Sequence, residues 1–298
     1  MSRTKGYIYI FIAGCLWGFI GLFVNLLASC GADSGTTAFI RMCSGFLLMI
    51  PLVLASGGPS LFRIDKKGLA ICLVLGVFGQ AAFNYAYTWA IRLVGVATGS
   101  VLLYTAPIFV CIMSWLIFKE QLGKKKLIAL AINIVGCILT VTGGNFSVMT
   151  FSMIGVAAGV MAGFLYALVT IMGTLGKNYN SLTITFYSFL FGAATLAVIV
   201  QPWANLASSM SGPFILACLG YGLVPTVGSY FFYMRGLASD LETSKVPIIA
   251  SVETVVAAVI GIAIYHEAAG MGKLLGIVLV LASIAVMNLD LSKKKTPS

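Results

Sequence analysis

The chain has 298 residues, of which 60% are hydrophobic and only 9% are charged, whereas a soluble domain carries about 25% charged residues. That balance excludes a soluble globular enzyme and a disordered chain. The net charge of +10 suggests a polyanion partner, but the positions of the charges assign them to a membrane, so no nucleic-acid partner is expected.

Ten apolar runs follow one another, at residues 7–28, 35–55, 68–90, 97–118, 127–144, 151–174, 183–202, 213–234, 244–265 and 273–290. Each is close to the roughly 20 residues with which a helix crosses about 30 Å of hydrocarbon. A helix satisfies its own backbone polar groups, which lipid cannot do. The expectation is an all-α integral membrane protein with ten transmembrane helices.

Basic residues set the orientation. With the N-terminus in the cytoplasm, that side holds Arg3, Lys5, Arg63, Lys66, Lys67, Lys119, Lys124–Lys126, Lys177, Arg235, Lys245 and Lys293–Lys295. The other side holds Arg92 and Lys273, and Arg41 falls within a span. This is a positive-inside pattern with both termini cytoplasmic, and it places the chain in a cytoplasmic (inner) membrane.

The seven cysteines (15, 30, 43, 72, 111, 137 and 218) are scattered and form no Cys-x-x-Cys pair. They read as packing residues, not as a disulfide framework or zinc site, so no metal or cofactor is expected. Leu27-Ala28-Ser29-Cys30 resembles a lipoprotein cleavage box. The apolar stretch before it, about 22 residues, exceeds the 7–15 of a signal core, and it reads as a retained first helix.

The chain also repeats itself. Thr37-Ala38-Phe39-Ile40-Arg41 aligns with Ile184-Thr185-Phe186-Tyr187-Ser188 at an offset of 147, and Gly45 with Gly192. At the same offset Lys119-Glu120-Gln121-Leu122-Gly123 falls on His266-Glu267-Ala268-Ala269-Gly270, and Lys126-Leu127 on Lys273-Leu274. Earlier the offset is 149: Gly6, Gly14 and Trp17 fall on Gly155, Gly163 and Tyr166. Residues 1–144 and 145–298 thus form two repeats of five helices. An odd number of spans forces the second copy to enter from the opposite side, so the repeats are inverted.

Certain motifs narrow the reading. Gly14-x-x-Trp17-Gly18 is followed by Arg41 in the second helix, then by Tyr104-x-x-Pro107 with Glu120 thirteen residues on and Gly123 after it. The second half carries Glu253-Thr254, with Glu267 thirteen residues after the threonine. In these features the sequence resembles the EamA family of the drug/metabolite transporter superfamily. It departs at Thr254, where the family often has proline, and at Tyr166-Ala167, the counterpart of Trp17-Gly18. The resemblance implies a ten-helix basket whose helices 1–4 and 6–9 line a central cavity, with helices 5 and 10 at the periphery. It further implies transport of amino acids, related metabolites or drug-like molecules, often outward.

Away from helix ends, Arg41 and Glu253 are the ionisable residues inside spans, and each costs at least ~2.5–3 kcal/mol unless paired or hydrated. Two readings stand. In one, Glu253 binds a cationic group or carries a coupling proton, and Arg41 holds a carboxylate or Glu253 itself. In the other, the two form a fixed pair that only orients helices. Tyr221, Pro225, Ser229 and Tyr233 in helix 8, and Gly76, Gln80, Asn84 and Tyr87 in helix 3, follow a helical spacing and are expected on shared interior faces. The glycines of helices 1 and 6 suit close packing. The expected binding or coupling set is Glu253, Arg41, Trp17, Gln80, Asn84, Tyr87, Tyr104, Tyr166, Tyr221, Tyr230 and Tyr233. Pro107 and Pro247 interrupt helices 4 and 9 as hinges or as static kinks. Glu120 and Glu267 end those helices on opposite faces, and fix the following turns or pair with Lys124–Lys126 and Lys273; gating is the alternative. Trp89, Trp203 and Tyr265 are expected as interfacial anchors.

Three function classes bear on such a chain. The sequence has no phosphate-binding loop, so transport must run on a gradient: a secondary, alternating-access carrier of small polar metabolites, amino acids or amines first, by proton exchange or facilitated diffusion. A lipid or lipid-linked-carrier flippase is the alternative, and a lateral opening would distinguish it. An intramembrane enzyme lacks its parts: no intramembrane histidine, and Asp33, Asp65, Asp240 and Asp290 all at span ends or in loops. The partners are then a small-molecule substrate, the bilayer and, under coupling, protons. Two halves complete one pathway, so a monomer suffices, with a homodimer as the alternative.

Overall fold

The computed structural model describes residues 3–289; Asp290 and Lys293–Lys295 lie outside the described residues. All regular secondary structure among those residues is helical. We number the spans α1 (Arg3–Ser29), α2 (Ser34–Phe62), α3 (66–94), α4 (96–118), α5 (Lys124–Thr142), α6 (Met153–Leu175), α7 (Ser181–Val200), α8 (Gly212–Leu237), α9 (Thr243–Tyr265) and α10 (Met271–Leu289). A short helix, Trp203–Ser209, links α7 to α8. Among the described residues eight helical runs are long and apolar enough to cross a membrane, and Ala106–Phe118 and Met271–Met287 are shorter. The helical run Lys66–Leu103 turns at Gly95, with φ 76° and ψ 166°, a conformation that favours glycine. That turn separates α3 from α4.

Helix pairing interlocks the two halves. α2 packs against its repeat counterpart α7, and α5 against its counterpart α10. α3 packs on α6 as α8 packs on α1, which is the same pairing seen from the other repeat. Local geometry repeats as well. Asp33 accepts a hydrogen bond from the Thr36 N–H at 2.7 Å to cap α2, and Asn180, 147 residues later, caps α7 through the Leu182 N–H at 2.9 Å. Lys119 (φ 56°) and His266 (φ 54°) both end their helices in the left-handed conformation. The structure is therefore an all-helical, multi-pass membrane fold of two inverted five-helix repeats.

Four irregularities punctuate these helices. α3 and α8 each contain a π-helical stretch, at Leu75–Ala82 and Gly222–Gly228, again 147 residues apart. α4 breaks at Tyr104–Thr105 before resuming as Ala106–Phe118, and α9 breaks at Ser251, the repeat equivalent of Tyr104. The second break forms although Thr254 stands where the first repeat has Pro107. Pro107 and Pro247 lie in the first turns of the helical pieces Ala106–Phe118 and Val246–Ala250, not at mid-helix kinks. Proline is tolerated there because a first-turn N–H has no intrahelical partner.

Close packing holds both breaks. A Cβ at Gly14 of α1 would sit 2.6 Å from the Ala250 carbonyl oxygen, beside the α9 break. A Cβ at its repeat partner Gly163 would run into Thr105 Oγ1 at the α4 break, with the Leu102 carbonyl oxygen 3.3 Å away. From the periphery, Asn133 of α5 donates to Ser251 Oγ at 2.6 Å and to Ser283 Oγ of α10 at 2.9 Å. Trp89, Trp203 and Tyr265 are exposed on the flanks.

Candidate functional site

A cavity of about 380 Å³ lies between the halves, within the range of small-molecule sites, about 300–1,000 Å³. Its walls include Trp17, Arg41, Asn84, Tyr87, Tyr104, Tyr166, Tyr230 and Glu253. Ser34, Thr88 and Arg92, at the α1–α2 and α3–α4 ends of their helices, line its mouth. The cavity thus opens on the face opposite the lysine-rich loops. None of the lining residues comes from α7, α5 or α10. For α7 this corrects the expectation that it lines the cavity: it sits behind, filling the space between α2 and α3.

The floor is an aromatic cluster. The Trp17 ring lies 4.7 Å from that of Tyr233, 5.5 Å from Tyr230 and 6.3 Å from Tyr166 between centroids. Phe83 joins Tyr166 at 5.4 Å and stacks on Tyr87 at 5.9 Å. Hydrogen bonds fix these rings. Gln80 Nε2 donates to Tyr230 Oη at 2.6 Å, Tyr87 Oη meets Ser100 Oγ at 3.0 Å, and Thr170 Oγ1 meets Tyr233 Oη at 2.6 Å. Gln80 and Tyr233 therefore hold the wall from behind rather than forming it. Asn84 Nδ2 is engaged by the Gln80 carbonyl at 2.6 Å.

Tyr221 lies elsewhere, which corrects the expectation of a shared α8 face. It is buried against Phe214, Ala217 and Leu27 and stacks on Phe23 at 6.0 Å. The π turn between Tyr221 and Tyr233 adds a residue to the turn and rotates one end of α8 against the other, so a spacing in fours does not keep a face.

Arg41 and Glu253 share the cavity without an ion pair between them. Arg41 is 7% exposed and its Nε has no hydrogen-bond partner; Trp17 is 3% exposed and its Nε1 has none either. Both residues line the same space as Glu253. Thr37, Thr88, Arg92, Ser100 and Thr254 also line it and were missed in the sequence. A signal was present: Thr37 is four residues from Arg41, and Thr88 and Arg92 continue the α3 spacing from Asn84. Among the described residues no group of His, Cys, Asp and Glu is placed to hold a metal ion, and all seven cysteines are free.

Comparison with known proteins decides the family. Residues 4–142 and 153–289 each match the EamA-like transporter family. The chain belongs to that family. The EamA-like chain is 27% identical to an uncharacterized transporter of Archaeoglobus fulgidus, over 93% of this chain and 94% of that one. It is 24% identical to the uncharacterized inner membrane transporter YicL of Salmonella typhimurium, over 97% of each. The pseudopaline exporter CntI of Pseudomonas aeruginosa is 26% identical over 68% of this chain and 69% of its own. A solved crystal structure superposes with a TM-score of 0.83 at 15% identity, covering 99% of this chain and all of the other, a likeness of fold. This EamA-like protein is thus a multi-pass membrane transporter and not an enzyme.

Proposed function

We propose that the protein carries zwitterionic metabolites, amino acids or compounds built on them, by alternating access. One observation carries this reading: Arg41 and Glu253, not paired with each other, line the same cavity beside the aromatic cluster of Trp17. A substrate carboxylate is met by the Arg41 guanidinium, and the substrate's ammonium group lies toward Glu253 and the tyrosine faces, where cation–π attraction adds about 0.5–2 kcal/mol. Because the opposite charges are held apart, each is available to the substrate. Glu253 also has the chemistry of a coupling group, since a proton and a substrate cation compete for the same carboxylate. With the lysine-rich loops cytoplasmic, the cavity faces outward. The resemblance to a pseudopaline exporter supports export.

A second reading rests on a crevice of about 230 Å³ between α2, α3 and α7, which shares Ala38, Asn84, Thr88 and Arg92 with the cavity. Tyr85, Trp89 and Ile199 on its rim are exposed. This lateral gap suits a lipid-linked substrate. A thermal-shift screen of the purified protein against amino acids, amines, quaternary ammonium compounds and lipid-linked sugars, at two pH values, tests both readings. A ligand at 100 times its Kd adds about 2.7 kcal/mol. Hits among zwitterions support the first reading; hits with lipid-linked compounds alone overturn it in favour of the second.

A further inference from the structure

On the lysine-rich face, the carboxylate of Glu120 closes the end of the bundle. It accepts from the backbone N–H of Thr243 at 2.5 Å, from the N–H of Ser244 at 3.0 Å and from Ser244 Oγ at 2.6 Å. Glu120 lies just after α4, and Thr243 and Ser244 are the first residues of α9. One broken helix thus caps the N-terminus of the other, where the unsatisfied N–H groups and the helix dipole favour an anion. Lys126 reinforces the contact, donating to Ser244 Oγ at 3.1 Å and pairing with Glu242 at 2.5 Å. Lys245, almost fully buried, pairs with Glu242 at 3.0 Å.

The repeat supplies the counterpart of every principal part on the opposite face. An offset of 147 takes Glu120 to Glu267, Lys126 to Lys273, and the donors Thr243 and Ser244 back to Val96 and Ala97, the first residues of α4 after Gly95. Yet Glu267 does not cap α4. Its carboxylate accepts from Lys273 Nζ at 2.6 Å and is about half exposed. The cavity is open at this end and closed at the other.

We infer that Glu120 and Glu267 are reciprocal latches of the transport cycle: Glu120 bound to the N-terminus of α9 holds the lysine-rich face shut, and Glu267 bound to the N-terminus of α4, at Val96 and Ala97, shuts the opposite face in the alternate state. Both are positioning residues, distant from the substrate cavity. The two latches are unequal. Glu242 and Lys245 map back onto Gly95 and Thr98, so the second latch has no ion-paired acid beside it, and the observed state is the favoured one at rest.

This inference rests on alternating access but not on any substrate, and amide hydrogen exchange on the full-length protein in detergent, without ligand, tests it separately. In Glu120→Gln the amides of residues 243 and 244 should exchange at least about tenfold faster, the effect of losing charge-assisted hydrogen bonds. In the same variant residues 96 and 97 should become slower to exchange. Adding Glu267→Gln should remove that slowing. Ser244→Ala, a milder change, should give the same pair of shifts at smaller amplitude. A Glu120→Gln effect confined to residues 243 and 244 would make Glu120 a static cap and overturn the proposal, as would slowing at 96 and 97 that persists in the double variant.

Discussion

Tyr104 and Thr254 are joined by a hydrogen bond of 3.0 Å that ties the broken stretch of α4 to that of α9. The bond depends on Thr254, which stands where the first repeat has Pro107, because proline has no hydroxyl. Thr254 lies directly beside Glu253, so the bond also steadies the backbone that carries the carboxylate. Tyr104→Phe and Thr254→Val should each lower reversible stability by about 1 kcal/mol, the usual net worth of such a bond. Denaturation of the double variant should show the two costs failing to add; full additivity would mean that the bond contributes nothing.

Glu253→Gln keeps the shape of the side chain and removes its charge and titratable proton. Expression and thermal stability should persist, while pH-dependent flux in proteoliposomes is lost. Flux that keeps its pH dependence in this variant removes Glu253 from the coupling step.

Arg41 should discriminate by ligand chemistry. A charge-assisted bond contributes about 1.5–3 kcal/mol, so Arg41→Ala should weaken binding of an amino acid by tenfold or more. An amine without a carboxylate should bind within about twofold of its original affinity. Equal losses for both ligands would show that Arg41 shapes the cavity rather than reading the carboxylate.

Acid should loosen the lysine-rich face. Burial pushes the Glu242 carboxyl up, but hydrogen bonds from Lys126 and Lys245, and their charges, outweigh it and hold the group below its ordinary value. The Gly68 N–H and the Tyr179 hydroxyl do the same for Asp65, as Lys177 does for Asp240. A depressed carboxyl contributes stability above its unfolded pKa, which is lost as the pH falls through the folded value. The melting temperature should hold from neutral pH to about 5 and drop below about 4, the ordinary carboxylate range. Glu242→Gln should reduce the drop; an unchanged profile would show that these groups do not govern it.

Sidedness is open to direct test. Cysteines placed at residues 56–67 and 119–126 should react with a membrane-impermeant maleimide only after the bilayer is breached. Labelling from outside in intact cells would reverse the orientation, and with it the direction in which the cavity faces.

The scaffold was more legible than the site. Ten helices follow from the length of hydrocarbon each must cross, and the inverted arrangement follows from five spans per repeat, so both could be read from residue patterns alone. Arg41 and Glu253 stood out because charge is costly within a span. They have no charged counterparts: their repeat equivalents are Ser188 and Ala106, so the symmetry that reveals the scaffold says nothing about the site. Tyr221 was misplaced because a spacing in fours assumes an unbroken α-helix. The role of Glu120 was hidden for a different reason. Its partners are backbone N–H groups more than a hundred residues away, and a main-chain donor leaves no mark in the sequence.

The paired π stretches bear on how this chain tolerates insertions and deletions. One residue added to or removed from a helix turns everything beyond it by about 100°. Leu75–Ala82 lies just before Asn84 and Tyr87, and Gly222–Gly228 just before Tyr230 and Tyr233. Deleting a single residue within either stretch would leave a span of nearly the same length and hydrophobicity, yet swing those side chains away from the cavity and its aromatic floor. The bundle would still cross the bilayer with its wall turned away from the cavity.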